Sequence, residues 1–554
     1  MSKISFLGLG GLGEIGKNLY VLDVDDSIFI LDCGLKYPSM DLLGVDAIYP
    51  DITYLIENSD RIKAIFLSHG HEEHIGAAIE LIKRFNVSVF GSHFTISVLE
   101  HNILDLGLNV SDYRLYRINE EKELKFGKTR IEFYNVNHSI PETLNFAIIT
   151  ADSAIVYAPD FTFDVNNDER YRISFNRIND IAKTGVLAVL SESVGTSNYH
   201  RTKSNMELDY YMNNALNNKG RVLITLYSYD LEKIQHVIDI ALLHNRRIAL
   251  IGRKTQKIVN IGISTEYLRI PSDKMVNLKF RTEINQNEDD DLVVLITGVR
   301  HEPFFMLQRM CNGSDMLVQL KKDDNVIILT PPVVGSEKIA SRTLGIVLER
   351  GVNLMQIAKE DLRSTHASNE DLKMLYRMMM PKYIIPICGE YRHQIQSREV
   401  AMSIGYNKDN VILLDNGDVV TFIDGEKSIE KNKVSHGDVL VDGSMIGDIN
   451  DVVIKDREIL AMNGIVIVSL ALDYNHHLLL GEPIIESKGC TFANDEELFM
   501  ILKRIVIEKS YLYVRKSNIN INKAIEYLRK ELGDYIYKEY KEKPVIIINM
   551  IDVK

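Results

Sequence analysis

The chain has 554 residues, 45% of them hydrophobic and 25% charged, with a formal net charge of −13. That length exceeds what one hydrophobic core supports, so several domains are expected, and the composition is that of soluble globular proteins. The acidic total excludes binding of nucleic acid by bulk charge, the lack of an uncharged apolar run of about 18 residues excludes a membrane helix, and four scattered cysteines without C-x-x-C spacing exclude a disulfide framework and suit a reducing cytoplasm.

Residues 1–7 run straight into glycines and carry no signal-peptide apolar region. Gly8-Leu9-Gly10-Gly11-Leu12-Gly13 has the G-x-G-x-x-G spacing of dinucleotide loops. Such a loop must open a helix, whereas residues 18–24 and 27–32 read as two strands of a hairpin around Asp25-Asp26, so that reading falls. Asp32 ends the second strand beside Cys33-Gly34. The apolar run 64–67 then delivers Ser68-His69-Gly70-His71-Glu72-Glu73-His74-Ile75-Gly76, ahead of a helix beginning near Ala77. Imidazole nitrogen and carboxylate oxygen are the ligands of catalytic zinc and similar ions, and His69, His71, Glu73 and His74 crowd the end of one strand.

Residues 131–138 alternate as a strand ending in His138, and 154–160 as a strand ending in Asp160. Either residue alone would serve as a cap or turn; together with the His cluster they point to one site. Strand 221–226, helix 231–244 and strand 248–252 alternate as β-α-β, which predicts parallel strands with crossover helices. Strand 464–472, helices 495–510 and 521–542 and strand 544–550 predict a small α/β domain at the end of the chain.

The His turn resembles the H-x-H-x-D-H signature of the metallo-β-lactamase fold, with Glu73 where that family has Asp. Nearly the whole chain resembles ribonuclease J, in the β-CASP branch of that superfamily. The strings that carry the resemblance are 9–18, 31–35, 42–46, the His turn, 138–142, 160–164, 252–254, 389–392 and 415–418. The fold class it implies is α/β: a metallo-β-lactamase αββα sandwich, with an inserted β-CASP α/β domain and a small C-terminal α/β domain. The implied bounds are 1–208 and 371–424 for the sandwich, 209–370 for the insertion, 425–458 for a linker and 459–554 for a dimerisation domain.

The resemblance also implies roles. His69, His71 and His138 would bind a first ion, Glu73 and His74 a second, with Asp160 bridging and Asp32 supporting the ligands from behind. His366 would act as a general acid, and Ser364 and Ser336 would contact substrate. The family's last metal-binding His is replaced by Cys388, in Pro386-Ile387-Cys388-Gly389-Glu390-Tyr391. The family's His-x-Ser-Gly-His string becomes Leu362-Arg363-Ser364-Thr365-His366, and Ser191-Glu192-Ser193 replaces Ser-Asp-Ser. Zn2+ is the expected cofactor, one or two ions with the second held weakly, and Mn2+ or Mg2+ are alternatives. Two functions compete: a cytoplasmic 5′-to-3′ exoribonuclease with some endonuclease activity, weakened by these changes, or an inert or weak RNA-binding partner of an active ribonuclease J. RNA is the expected partner, beside a homodimer, a higher homo-oligomer, or a hetero-oligomer with a second ribonuclease J; no membrane is involved. The basic candidates for RNA contact are Arg201, Lys203, Arg246, Arg247, Arg253, Lys254, Lys257, Arg300 and His301.

Overall fold

A strand with both faces apolar must lie between two layers. In Ser27–Leu31, Ile28 and Ile30 enter one core while Phe29 and Leu31 enter another, as the two-residue period of a strand requires. The structure, a computed structural model, describes residues 2–553 apart from 40–41, 165–167, 200–204, 253–255, 279–289, 334, 444, 448–450, 474–475, 477 and 515–520. An eight-stranded sheet runs in the order Glu426–Glu430, Val419–Ile423, Ile4–Gly10, Leu19–Val24, Ser27–Leu31, Ile62–Phe66, Ser88–Gly91, Leu115–Arg117. A six-stranded sheet faces it, in the order Tyr383–Ile387, Val186–Glu192, Ala154–Ala158, Leu144–Ile149, Thr129–Asn135, Glu123–Phe126. Their shared core is aromatic at its centre: the Phe66 ring lies 5.5–6.2 Å from the rings of Phe29, Phe90, Phe126, Phe133 and Phe146.

Helices Ala78–Arg84 and His93–Asp105 bury their apolar sides on the outer face of the first sheet. Phe175–Ala182, Asn369–Met379 and Tyr391–Ser403 do so on the second. The result is a four-layer αββα sandwich, closed by segments far apart in the chain. Tyr383–Ile387 pairs in parallel with Val186–Glu192, and Val419–Ile423 pairs antiparallel with Ile4–Gly10. Between these excursions the chain builds a separate five-stranded parallel sheet, ordered Arg247–Ile251, Leu292–Gly298, Val222–Tyr227, Asn325–Ile328, Asn353–Gln356. Its first crossover helix, α1 (Leu231–Leu243), is capped by Asp230, which accepts the Lys233 N–H at 3.1 Å.

The span 425–458, expected as a linker, carries regular structure. Asp424 and Gly425 have φ of 54° and 77°, the type I′ turn that Asp-Gly favours, and Glu426–Glu430 folds back on Val419–Ile423 as an outer strand. Further on, Asp438–Asp442 is a strand and Asp451–Asn463 a helix. Residues 38–46 with 440–554 form a second compact unit. In it Ile465–Asp473 pairs in parallel with Val545–Asp552 and antiparallel with Leu478–Lys488. Val466, Val468, Leu470 and Leu472 face helices Glu496–Val514 and Ile521–Tyr540. No helix among the described residues is long and apolar enough to cross a membrane.

Truncating the central ring tests this layering. Phe66→Ala is expected to destabilise the first unit by about 3–5 kcal/mol, read as an earlier first transition in urea. A loss below about 1 kcal/mol would mean that the two sheets do not share this core.

Candidate metal centre

Strands Ser27–Leu31 and Ile62–Phe66 lie side by side in parallel, so their carboxyl ends deliver Asp32 and the His turn to one edge. Asp32 has φ of 59°, and its N–H donates to Phe66 O at 2.9 Å. Its carboxylate is fully buried and accepts from the Ser68 N–H (2.7 Å), the Ser68 hydroxyl (2.8 Å), the Tyr157 hydroxyl (2.6 Å) and His74 Nδ1 (2.8 Å). Two residues on, a Cβ at Gly34 would meet Glu73 O at 1.6 Å, so only glycine lets the short helix Glu72–Ile75 settle against this loop. The Cys33 N–H to His74 O (2.8 Å) and the Asn18 N–H to Glu73 O (3.1 Å) fasten it there.

The second sheet supplies the rest from its strand ends. His138 follows Thr129–Asn135, Asp160 follows Ala154–Ala158, Glu192 ends Val186–Glu192 and Cys388 follows Tyr383–Ile387. His71 Nδ1 lies 3.0 Å from His69 Nε2 and 3.3 Å from His138 Nε2, and His69 Nε2 lies 3.3 Å from Asp160 Oδ2. In a tetrahedral zinc shell with bonds of about 2.0–2.1 Å, neighbouring ligand atoms are roughly 3.3 Å apart. The outer nitrogens are all occupied: His69 Nδ1 by Ser68 Oγ (2.9 Å), His71 Nε2 by Tyr229 O and Ser139 Oγ (both 3.3 Å), His138 Nδ1 by Thr365 O (2.7 Å) and His74 Nδ1 by Asp32. A carbonyl only accepts, and the Ser68 proton is given to Asp32. Each outer nitrogen therefore carries the hydrogen, and the inner lone pairs face one another.

Burial, reinforced by the surrounding imidazoles, holds His69 well below the ordinary histidine range, and burial also lowers His71 and His138. These rings are neutral, the form that binds a metal. Burial opposes charge on His74 as well, but Asp32 and Asp160 outweigh it and push His74 up to about 10. Asp160 Oδ2 is buried, paired with the charged His74 Nε2 at 2.9 Å, and lies 3.3 Å from His69 Nε2. A carboxylate turned toward three inward lone pairs fits a bound cation. His69, His71, His138 and Asp160 form one group with metal-ligand spacing; Glu73, His74 and Asp160 form a second; Asp160, Glu192 and His366 form a third.

The third group is the one residue-by-residue reading missed. His366 Nδ1 lies 2.9 Å from Asp160 Oδ1 and 3.0 Å from Glu192 Oε2. Burial disfavours charge on His366, but Glu192 and Asp160 outweigh it and hold its pKa well above the usual histidine value; burial lifts Glu192 to about 7. Glu192 Oε1 is fixed by the N–H groups of Phe161 and Ala367, both at 2.9 Å.

Other expected residues stand apart from the cluster. Cys388 belongs to none of the three groups. With φ of 49°, it gives its N–H to the Tyr20 hydroxyl (3.1 Å), and its sulfur lies 3.4 Å from the same oxygen. That hydroxyl reaches Asn18 Oδ1 (3.0 Å), and Asn18 Nδ2 lies 3.2 Å from His74 Nε2, so a hydrogen-bonded chain joins Cys388 to the ligand ring. Burial raises its thiol pKa. Ser364 gives its proton to His366 O at 2.8 Å, a local turn that shapes the His366 loop. Ser336 is buried and commits both hydroxyl (2.7 Å) and N–H (2.8 Å) to Val333 O.

The described members of the basic set have partners within the chain. Arg246 is buried on the carbonyls of Gly220 (3.0 Å), Leu216 (2.7 Å), Asn218 (2.6 Å) and Asp290. Arg247 pairs with Asp291 at 2.6 Å, and Lys257 with Asn102 (2.8 Å) and Asp105. Arg300 lies over the Tyr37 ring at 5.5 Å, and His301 packs on Phe305. Arg201, Lys203, Arg253 and Lys254 lie outside the described residues.

A sandwich of this topology, with a His/Asp cluster at its strand ends and a parallel-stranded insertion, is a metallo-β-lactamase fold of the β-CASP type. A metallo-β-lactamase superfamily model matches residues 12–145, the ribonuclease J β-CASP domain 219–346, a Zn-dependent metallo-hydrolase RNA specificity domain 355–412 and the ribonuclease J C-terminal domain 452–553. Ribonuclease J2 of Bacillus subtilis (strain 168) is 32% identical over 558 residues, covering 100% of this chain and 99% of its own. Ribonuclease J 2 of Staphylococcus saprophyticus is 31% identical over 547 residues, covering 98% and 97%. The chain belongs to the ribonuclease J family. A crystal structure of a protein of unknown function from Enterococcus faecalis V583 shares the fold, with a TM-score of 0.53 at 14% identity, over 76% of this chain and 100% of that one.

Asp32→Asn keeps the shape beneath the ring but removes the charge that His74 faces. Zinc affinity, measured by competition with a chromophoric chelator, is expected to fall about 10- to 100-fold. An unchanged affinity would mean that Asp32 serves only the loop.

Proposed function

We propose that the protein is a metal-dependent ribonuclease of low intrinsic activity, working 5′-to-3′ on 5′-monophosphorylated RNA with endonucleolytic cleavage as a second mode. The observation that carries this is the convergence of inward-facing imidazoles on the buried Asp160 carboxylate, with His366 set against its other oxygen. His69, His71 and His138 would hold one ion, Glu73 and His74 another, and Asp160 both. Such ions supply an activated water and offset phosphoryl charge. Imidazole-rich shells suit zinc; the carboxylate-rich second position also admits manganese or magnesium. His366, paired with Asp160 and Glu192, would give its proton to the leaving oxygen.

The low activity follows from the second shell. A thiol must lose its proton to ligate, and burial keeps Cys388 protonated. Glu73 is one methylene longer than Asp and must enter by another rotamer. The first position has no such change, so one ion is held firmly and the second weakly. The same features favour a second reading, an RNA-binding partner subunit of an active ribonuclease J, because Leu362 is also turned into the apolar core instead of offering an imidazole. For either reading, self-association has a natural face. On the side of the C-terminal sheet away from its helices, Ile484, Ile547 and Ile551 are 63%, 40% and 57% exposed.

Elemental analysis beside a nuclease assay on 5′-monophosphorylated RNA separates these readings. The parent is expected to retain one ion and cleave slowly, and Glu73→Asp with Cys388→His to retain two and cleave at least about tenfold faster. His366→Ala should cost a further factor of about 100 or more. Two firmly held ions with brisk cleavage in the parent would refute the low-activity reading; no cleavage by parent or double variant would leave the partner subunit. Ile547→Asp with Ile551→Asp should shift the sedimentation species toward monomer, and an unchanged species would remove that face from the assembly.

A further inference from the structure

Two of the first position's three imidazoles have an outer partner that the sandwich does not own. His71 Nε2 lies 3.3 Å from the Tyr229 carbonyl, just ahead of α1 in the inserted lobe, beside Ser139 Oγ of the sandwich at the same distance, and His138 Nδ1 faces Thr365 O on the segment returning from that lobe. The neighbouring Glu232 N–H, in the first turn of α1, donates to Ser139 O at 3.2 Å. Backbone contacts of this length across two lobes need something to hold the lobes in register.

Arg363 stands at that junction. It is 7% exposed, three residues before His366, and its guanidinium reaches three separate segments. One terminal nitrogen donates to Asn137 Oδ1, beside His138; the other donates to Glu232 in α1; and Nε lies 3.0 Å from Asp164 Oδ2, beyond Asp160. A planar fork can satisfy such a set where a lysine's point charge cannot. Removing one member of a buried pair leaves the others uncompensated, so the junction forms as a whole or loosens as a whole.

We propose that Arg363 is a positioning residue that holds the Tyr229 carbonyl on His71, and thereby ties the affinity of the first metal position to closure of the inserted lobe. This rests on the metal reading above. The consequence is reciprocal: a bound first ion favours the closed lobe, and any event that lifts the lobe weakens that ion by the same factor. Outer partners of metal-binding histidines typically change affinity about 10- to 100-fold when lost, which sets the expected size.

The test uses the full chain, with zinc affinity from chelator competition and the d–d absorption of the cobalt-loaded protein as readouts. Arg363→Met and Glu232→Ala are each expected to keep the wild-type far-ultraviolet circular dichroism, to bind the first ion at least about tenfold more weakly, and to change the cobalt spectrum. Glu232→Ala, in the inserted lobe and in contact with no expected ligand, carries the test alone if Arg363→Met fails to fold. Folded variants with wild-type affinity and an unchanged cobalt spectrum overturn the proposal. A wild-type protein that takes up neither zinc nor cobalt overturns the metal reading beneath it, and does so before any variant is compared.

Discussion

A buried carboxylate has to be repaid for its lost hydration, and the arrangement around Asp160 is the repayment. Desolvating such an ion costs several kcal/mol even after the protein relaxes. Asp160 is 1% exposed, and the charged His74 and His366 lie 2.9 Å from its two oxygens. His74 is held in turn by Asp32, from the end of another strand. The two sheets must therefore meet with their strand ends in one plane. The segment at 383–387 must return beside 186–192 after the whole insertion has been made.

The site is unequal on its two sides. Around the first position the inner nitrogens, the outer acceptors and the carboxylate are all in place. Around the second, a buried thiol rests on Tyr20, and a longer carboxylate stands in for a shorter one. Changes of this kind leave the scaffold intact, because Cys388 still fills its space at the end of its strand and Leu362 adds apolar surface to the core.

Much of the centre was legible in the sequence because chemistry and geometry coincide there. His69, His71, Glu73 and His74 lie within one turn, and Asp32, His138 and Asp160 each end a run of alternating or apolar residues, which places them at one edge of a layered fold. What escaped carries no side-chain signal. The acceptors for His71 and His138 are the backbone carbonyls of Tyr229 and Thr365. Glu192 stood in view at a strand end as a substitution, but its union with His366 depends on a parallel pairing across the insertion. Ser336 and Ser364 were assigned by position, and their protons are taken by local carbonyls. The positive charge of Arg246 was plain, and its carbonyl partners were not. The Asp424-Gly425 hairpin is readable from the sequence, because Asp-Gly between alternating segments is a strong turn signal.

Anomalous diffraction at the zinc edge, from crystals grown with limiting zinc, would test the central claim most directly. One strong peak is expected among His69, His71, His138 and Asp160, with a weak peak or none between Glu73 and His74. Two peaks of equal strength, or none within the three-histidine ring, would contradict the account.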